Sequence, residues 1–413
     1  MKVSKKDKII LRELANKIAE ISILPVQQKR KEMWTQLNNL EKVKPMVWIN
    51  EIPWHEMDVD HELKLQTSDP FCRNIEDSFR KTIYQWKHMQ GDMVIEPVIY
   101  CPLAISNSGF GISENSDILK MDADTTAPSR HFHPQMIKEE DVEKIKMPVV
   151  THNKEKTEEN CQAMLNIFDG ILPVEKRGAP GFWFSPWDEL ITWTGVQEGL
   201  MDLIMRPAYI HKIMERLVQA YLRQLDQYEK QNLLSLNNNN ARIGSGAYGY
   251  TDELPGHDYN PAHVRTSDLW GCGTAQIFSD VSPDMHWEFA LQYEIRWMKR
   301  FALNYYGCCE PLHNKMEVLK KVPNLRKISM SPWADITKAR EKGGDNYVFS
   351  IKPNPAILAE DIWRPDAARA ELEQRLNQAK GCNVEIIMKD ISTVYYKPQR
   401  LWEWAEIASE VSN

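Results

Sequence analysis

The sequence predicts an α/β protein, a (β/α)8 TIM barrel preceded by an N-terminal helical extension. The chain of 413 residues is longer than a typical domain, but it suits one large barrel with insertions. From residue 46 onward, short apolar segments alternate with amphipathic helices, and this alternation is typical of a parallel sheet. No G-x-G-x-x-G motif follows a predicted strand, which argues against a Rossmann domain.

The individual elements follow from the hydrophobic pattern. Residues 1–45 are predicted to form the helical extension, in which apolar residues recur at helical spacing up to Pro25 and a second helix spans Gln27–Leu40. Residues 46–413 are assigned to the barrel, with insertions between roughly residues 100 and 190. The eight predicted strands are Val47–Asn50, Met93–Tyr100, Ala241–Gly244, Ala275–Asp280, Ala302–Gly307, Lys327–Ser331, Tyr347–Ile351 and Val384–Lys389.

Composition and charge argue against several classes of protein. The formal net charge of −7 does not favour a nucleic-acid partner, because phosphate backbones attract basic surfaces. No run of about 18 apolar residues is present, so no membrane span is expected. The charged N-terminus lacks the apolar core of a signal peptide, and the cysteines number seven, which is odd. We therefore expect a cytoplasmic protein with reduced thiols.

Polar side chains cluster where the predicted strands end. Because a TIM barrel builds its active site at the carboxyl ends of its strands, these residues are the first candidates for function. They include Tyr248 and Asp252 after Ala241–Gly244, Asp280 at the end of Ala275–Asp280, Cys308, Cys309 and Glu310 after Ala302–Gly307, Trp333 after Lys327–Ser331, and Asp390 after Val384–Lys389. The sequence therefore predicts a bowl rich in carboxylates and thiols.

These candidates also have plain structural interpretations. Cys308 and Cys309 are either two buried small apolar side chains or thiolate ligands of a metal such as zinc. Asp280 is either a metal ligand or the N-cap of the following helix. The aromatic cluster that contains Trp183 and Trp187 is either a wall for a ligand or part of the core. The residues alone leave these alternatives open.

The sequence resembles the uroporphyrinogen decarboxylase-like superfamily in two segments, DLWGCGTAQIFSDVSPDMHWEFALQYEIRWMKRF and NYYGCCEPL. Within it, the resemblance is closest to the corrinoid-dependent methyltransferase component of anaerobic O-demethylases. It covers nearly the whole chain and is strongest from Tyr250 onward. It implies a TIM barrel that moves a methyl group, in one-carbon metabolism, from a small methylated donor such as an aromatic methyl ether to a Co(I) corrinoid. The decarboxylase itself matches poorly, because its arginine-rich tetrapyrrole motif has no counterpart in Met46–Glu62.

The resemblance also implies zinc as a cofactor. The O-demethylase methyltransferases share a proposed ligand pattern of one aspartate and two cysteines at fixed spacings. Asp280 and Cys308 match the first two positions, whereas Val348 stands where the second cysteine is expected. Glu310 is therefore the leading candidate for the third ligand, since a carboxylate oxygen also binds zinc. The alternatives are Asp335, His313 or Cys309 as the third ligand, or a site that binds metal weakly or not at all.

The resemblance assigns further roles and a partner. Tyr248, Asp252 and Glu310 are the predicted catalytic proton donors, and Trp183, Trp187, Tyr248 and Trp333 are the predicted substrate contacts. No corrinoid-anchoring D-x-H-x-x-G motif occurs, so a corrinoid-binding protein is expected to dock transiently over the barrel mouth, beside a flexible rim over Asn107–Ser129. A homodimer is possible. The alternatives are demethylation of a quaternary amine or thioether, a metal-independent decarboxylase or lyase, and a non-catalytic binding protein.

Overall fold

The computed structural model describes residues 3–119 and 129–413, so residues 120–128 of the predicted rim lie outside the described residues. The described strands are β1 Met46–Ile49, β2 Ile99–Pro102, β3 Ile105–Asn107, β4 Ser116–Leu119, β5 Ser129–Phe132, β6 Val150–His152, β7 Val174–Arg177, β8 Trp270–Gly273, β9 Leu303–Tyr306, β10 Leu325–Met330, β11 Val348–Ile351 and β12 Asn383–Met388. The described helices are α1 Lys5–Ser22, α2 Pro25–Asn38, α3 Pro70–His88, α4 Lys154–Phe168, α5 Pro186–Thr194, α6 Val196–Met205, α7 Pro207–Lys230, α8 Pro283–His286, α9 Gln292–Met298, α10 Met316–Leu319, α11 Ile336–Glu341, α12 Pro365–Gln378 and α13 Gln399–Ser412. None of these helices is long and apolar enough to cross a membrane.

A parallel sheet of six strands organises the molecule, in the order β1-β12-β11-β10-β9-β8. Every strand in it is fully or almost fully buried, as parallel strands covered on both faces usually are. One face carries apolar side chains such as Ile328 and Ile386, which belong to the main hydrophobic core. The other face carries buried polar side chains, among them Lys327, Ser329 and Glu385. The α/β class is therefore confirmed.

The predicted closed eight-stranded barrel is not confirmed, because two predicted strands are absent and a third lies outside the main sheet. Ala241–Gly244 forms no strand: Ile243 N–H donates to the Ala247 carbonyl oxygen at 2.9 Å and closes a turn. Residues 242–250, here named the inner segment, then run along the polar face of the sheet. Gly244, with φ +56°, permits this path, since a Cβ there would lie 2.5 Å from the Tyr305 ring.

The edge strand β8 also differs from the prediction. The predicted strand Ala275–Asp280 is wrong: Gln276–Phe278 is a 3-10 helix, and the strand is Trp270–Gly273. This strand contains two glycines, which have low strand propensity, so the residue pattern does not predict it. Packing explains Gly271, because a Cβ there would lie 2.4 Å from Phe301. Asn237 covers the free edge of this strand, accepting from Trp270 N–H and donating to its carbonyl oxygen, both at 3.0 Å.

The remaining predicted strand, Met93–Tyr100, corresponds to β2, which pairs with β7 in a separate two-stranded parallel sheet. Two antiparallel pairs, β3 with β6 and β4 with β5, lie within the predicted insertion. The predicted N-terminal helices form as α1 and α2. α1 contributes Ile10, Leu11 and Leu14 to a second core with α3 and α4, whereas Asn38 at the end of α2 donates to the carbonyl oxygens of Tyr248 and Tyr250.

Candidate active site

A cavity of about 520 Å³ opens at the carboxyl edge of the central sheet. Five of its charged and thiol-bearing residues come shortly after strands: Glu51 comes two residues after β1, Cys308 and Cys309 follow β9, and Lys389 and Asp390 follow β12. The carboxyl ends of neighbouring parallel strands meet at one edge, which is where α/β proteins usually bind ligands. The topology therefore brings these five side chains into one site.

Aromatic side chains form the opposite wall of the cavity, with Phe182, Trp183 and Trp270 in its lining. Trp183 is 44% exposed, so its ring is accessible from the cavity, and its indole N–H points to Asp188 Oδ2 at 3.4 Å. Gln276 donates to the same carboxylate oxygen at 2.7 Å. This wall can stack against a flat ligand ring, since aromatic faces pair readily in offset or edge-to-face arrangements.

Glu51 and Asp390 form a carboxyl pair on the floor of the cavity. Asp390 N–H donates to Glu51 Oε2 at 3.3 Å, and Arg242 binds Glu51 Oε1 at 2.8 Å. Burial and the hydrogen bond to Glu51 raise the pKa of Asp390. Burial alone would raise the pKa of Glu51, but the bond from Asp390 and the charges of Lys389 and Arg242 lower it to about 2. Of the two carboxyls, Asp390 therefore takes up a proton more readily than Glu51.

The backbone of this pair is strained. Both residues adopt left-handed conformations, with φ +51° at Glu51 and φ +56° at Asp390. Residues other than glycine rarely adopt this region, and such strain persists where the surroundings hold it, often at functional sites. Here the neighbouring sheet stabilises the strained backbone, because Asn50 N–H donates to the Met388 carbonyl oxygen at 2.9 Å.

The two cysteines differ in environment. Cys308 is buried and Cys309 is exposed, with their sulfur atoms 3.5 Å apart. The hydrogen bond from Cys309 lowers the pKa of Cys308 to about 7, against the opposing effect of burial and with help from the charges of Lys389 and Lys352. Lys389 Nζ lies 3.5 Å from Cys308 Sγ. A thiolate, the nucleophilic form of cysteine, is therefore available in the cavity near neutral pH.

Cys308 is held rigidly by its backbone. Its N–H donates to Glu310 Oε2 at 2.8 Å, and Ser329 Oγ donates to its carbonyl oxygen at 2.5 Å. Glu310 is in turn fixed by Thr274, whose hydroxyl donates to Oε1 at 2.9 Å. Glu310 thus lies beneath the cavity as a positioning group for Cys308.

The sequence-predicted residues divide into two sets. Trp183 and Cys308 line the cavity, whereas their parts as a substrate contact and a metal ligand stay predictions. Tyr248, Asp252, Trp187, Trp333 and Asp280 do not line it. Trp187 is fully buried in the core, where its indole N–H donates to the Phe289 carbonyl oxygen, and Trp333 is 70% exposed away from the lining.

Tyr248 and Asp252 are displaced because the inner segment folds back on itself as a tight hairpin, in which Arg242 pairs antiparallel with Tyr248. Its turn lies at the carboxyl end of β9, where Ser245 Oγ donates to the Gly307 carbonyl oxygen at 3.1 Å. Tyr248 is on the returning arm, and its carbonyl oxygen accepts from Lys327 Nζ at 3.1 Å. Tyr248 and Asp252 therefore lie outside the lining of the cavity. Any catalytic part played by these two residues stays a prediction.

Three charged residues of the site were not among the candidates at the strand ends: Glu51, Arg242 and Lys389. Asp390 was among those candidates, although no role was assigned to it. A signal for Lys389 and Asp390 was present, since they follow the fully buried strand β12 without an intervening residue. Glu51 follows β1 after one residue, Asn50. No local pattern marks Arg242, because its position depends on the path of the inner segment.

The zinc ligands that the resemblance implies do not converge. Asp280 is exposed outside the cavity lining. Both oxygens of Glu310 accept hydrogen bonds from Thr274 and Cys308, so neither is directed at the Cys308 sulfur. In the described part of the chain, no three His, Cys, Asp or Glu side chains are grouped closely enough to hold one metal ion. The residues present therefore do not fit the implied zinc site.

Comparisons with known proteins bear on the fold. No protein-family model matches the sequence, and a search of curated proteins finds no match. Among solved structures, the chain is similar to a methyltransferase from Methanosarcina mazei, with a TM-score of 0.52 and 12% identity. The similarity covers 92% of this chain and 98% of that chain. At this identity the comparison concerns the fold alone, and it shows that almost the whole chain adopts an arrangement also found in a methyltransferase.

Proposed function

We propose that the protein is a methyltransferase that moves a methyl group from a small methylated donor, an aromatic methyl ether, to the Co(I) corrinoid of a partner protein. One observation carries the proposal: an aromatic wall at Trp183 and the Asp390 carboxyl, whose pKa is raised by burial, line the same open cavity. The similarity in fold to a methyltransferase supports the same reaction type. Donor, acceptor and partner are parts of the proposal.

The cavity suits a single-ring donor. Small-molecule sites usually enclose roughly 300–1,000 Å³, and the cavity of about 520 Å³ lies within this range. Trp183 and Phe182 would stack on the donor ring and exclude water from its face. The ether oxygen would then face the polar floor formed by Glu51, Lys389 and Asp390.

Asp390 would act on the leaving group. An aryl methyl ether reacts slowly with nucleophiles because phenolate leaves reluctantly, and proton donation to its oxygen lowers that barrier. As the methyl–oxygen bond breaks, the bonding electron pair stays on oxygen and the proton moves to it from the Asp390 carboxyl. Lys389, with Nζ 3.0 Å from Asp390 Oδ2, then stabilises the carboxylate that remains. No metal ion takes part in this sequence.

The acceptor would approach from outside. A Co(I) corrinoid, when bound, supplies the strong nucleophile that takes the methyl group. A corrinoid ring is much larger than a benzene ring, so a cavity of this size leaves the macrocycle at the mouth while the donor occupies the floor. Because the chain lacks a corrinoid-anchoring motif, a separate protein would carry the cofactor.

A second donor class is favoured by one observation, the carboxylates of Glu51 and Asp390 opposite Trp183. Aromatic faces and carboxylates together attract quaternary ammonium groups. Such donors need no proton on the leaving nitrogen, so the role of Asp390 distinguishes the two classes.

The test is methyl transfer from a panel of methoxylated aromatics and quaternary amines to a Co(I) corrinoid protein, followed by methyl-cobalamin absorbance. We expect transfer from aromatic ethers and a loss of about 1 kcal/mol in donor binding for Trp183→Ala, the usual value of an aromatic pair. Trp333→Ala, which removes an exposed ring outside the cavity, is the matched control and should behave as wild type. Transfer from quaternary amines alone would show that the donor is a quaternary amine and not an aromatic ether. No transfer from any donor would overturn the proposal.

A further inference from the structure

The adjacent thiols of Cys308 and Cys309 have no part in the proposed methyl transfer, yet their arrangement is specific. Their sulfur atoms are 3.5 Å apart, and both residues line the cavity. Lys389 Nζ lies 3.5 Å from Cys308 Sγ, and Asp390 Oδ2 lies 3.8 Å from Cys309 Sγ. A cation therefore faces the inner thiol, and a carboxyl faces the outer one.

We propose that Cys308 and Cys309 are a reversible oxidation site, at which hydrogen peroxide converts the two thiols into a disulfide between neighbouring residues. The disulfide itself follows from the geometry of the cavity. Its consequence for activity rests on the proposed function, because it concerns methyl transfer in the same cavity.

The reaction balances in two steps. The Cys308 thiolate attacks one peroxide oxygen, the O–O bond breaks, and the departing hydroxide takes a proton to leave as water. Cys308 is then a sulfenic acid, which condenses with a nearby thiol. The Cys309 sulfur attacks the Cys308 sulfur, the S–O bond breaks, and the hydroxyl leaves as a second water with the thiol proton. Two thiols lose two electrons in total, and peroxide accepts them.

Geometry favours this outcome over further oxidation. The resolving thiol of Cys309 is exposed and 3.5 Å away, so it can reach the Cys308 sulfur with little movement. The ammonium group of Lys389 stabilises the attacking thiolate and limits its protonation. Redox-sensitive cysteines commonly combine such an anion with a resolving cysteine beside it.

Geometry also makes the disulfide easy to reduce. Consecutive Cα atoms across a trans peptide are about 3.8 Å apart, whereas disulfides usually join Cα atoms about 4.4–6.8 Å apart. A disulfide between neighbours is therefore strained, and strained disulfides are the labile, regulatory ones. The strain would fall on the backbone of Cys308, whose N–H donates to Glu310 and whose carbonyl oxygen accepts from Ser329.

The oxidised form would alter the floor of the cavity. Lys389 would lose its thiolate partner and keep only the carboxylates of Glu51 and Asp390, at 3.5 Å and 3.0 Å. Lys389 would then stabilise the ionised form of Asp390 more strongly. A smaller fraction of Asp390 would therefore carry the proton that the leaving group needs. Oxidation would thus lower methyl transfer, and reduction would restore it.

The chain contains its own control pair. Cys101 and Cys161 are hydrogen-bonded thiols in the second core, and both are buried. Burial raises the pKa of Cys101 to about 11. These two thiols should stay reduced under mild peroxide treatment that oxidises Cys308 and Cys309.

The experiment treats the folded chain with a small excess of hydrogen peroxide, blocks the remaining thiols with N-ethylmaleimide and identifies peptides by mass spectrometry. We expect the peptide with Cys308 and Cys309 to lose two hydrogens and to carry no maleimide, with both thiols regained after dithiothreitol. In Cys309→Ser, Cys308 should instead accumulate sulfinic acid that dithiothreitol does not reverse, and in Lys389→Met its oxidation should be slower. Both variants replace residues at the cavity surface, and unchanged circular dichroism would verify their fold.

Two results would overturn the oxidation site: maleimide on both cysteines while the buried control pair is oxidised, or Cys308 in Cys309→Ser as reversible as in wild type. The activity readout is separate. A disulfide that forms without changing methyl transfer would remove only the regulatory consequence. A disulfide in a chain that transfers no methyl group from any donor would remove the proposed function and leave the oxidation site standing.

Discussion

Replacing Lys389 by Met is expected to raise the pKa of Cys308, and alkylation kinetics can measure the change. In the folded protein, the hydrogen bond from Cys309 and the charges of Lys389 and Lys352 give the Cys308 thiol a pKa of about 7, despite its burial. A thiol that titrates at about 7 is half ionised at pH 7, whereas one with a pKa of 9 is ionised to about 1%. Only the thiolate reacts with iodoacetamide.

The geometry sets the size of the effect. Unit charges about 4 Å apart interact by about 4 kcal/mol at an effective dielectric constant near 20. Lys389 Nζ and Cys308 Sγ are 3.5 Å apart, so loss of the ammonium could raise the pKa by as much as about three units at 1.36 kcal/mol per unit. Lys352 remains in Lys389→Met, so we expect a rise of one unit or more. Alkylation at pH 7 should then slow at least about tenfold.

The assay follows alkylation of Cys308 by mass spectrometry between pH 5.5 and pH 10 on a Cys309→Ser background, which removes the neighbouring thiol and keeps a hydrogen-bond donor beside Cys308. The buried Cys272, which also lines the cavity, is followed on its own peptide. Cys382, which lies outside the cavity lining, is the internal control. Its alkylation rate should not depend on Lys389. An unchanged pH midpoint for Cys308 in Lys389→Met would refute the assignment of its low pKa to this lysine.

Three further predictions concern stability and metal binding. Lys327→Met breaks a fully buried ion pair, in which Lys327 Nζ lies 2.9 Å from Glu385 Oε2; urea denaturation should show a loss of about 3–5 kcal/mol in unfolding free energy, and Lys327→Met with Glu385→Leu should recover much of it, so an equal loss in both variants would contradict the pairing. Gly244→Ala should destabilise the fold more than the control Gly381→Ala, because both glycines have positive φ but only Gly244 leaves no room for a Cβ, beside Tyr305; equal losses would argue against the close approach. Asp280→Ala should leave both the zinc content of purified protein and methyl transfer unchanged, and a joint loss of zinc and activity would instead restore the ligand set that the resemblance implies.

The sequence was sufficient for the parts of the fold that depend on local pattern. Five predicted strands, from Val47–Asn50 to Val384–Lys389, overlap strands of the central sheet, since uninterrupted apolar runs give a clear signal. Strand β8 was missed because its glycines hide it, and it is stabilised by the Phe301 ring and by the side chain of Asn237. Such tertiary contacts leave no trace in local periodicity.

The site was partly predictable for the same reason. Cys308 and Trp183 line the cavity, and the pattern of strand followed by charge also points to Lys389 and Asp390. Tyr248 and Asp252 were misplaced because residues 242–250 turn back at Ser245 as a hairpin. This turn depends on distant partners, among them Tyr305 and Lys327, which bond to Ser245 and Tyr248. No spacing rule along the chain encodes those contacts.

The central claim is that Asp390 supplies the proton for methyl transfer in this cavity, and one measurement tests it most directly: single-turnover methylation of a Co(I) corrinoid protein by wild type and Asp390→Asn, with aryl methyl ethers of increasing phenol pKa. If Asp390 is the general acid, Asp390→Asn should slow transfer by about 10²–10⁴-fold, the usual contribution of such a group, with the largest loss for the most basic phenolate. Equal rates for the two proteins across the series, or no methyl transfer by the folded wild-type protein, would contradict the claim.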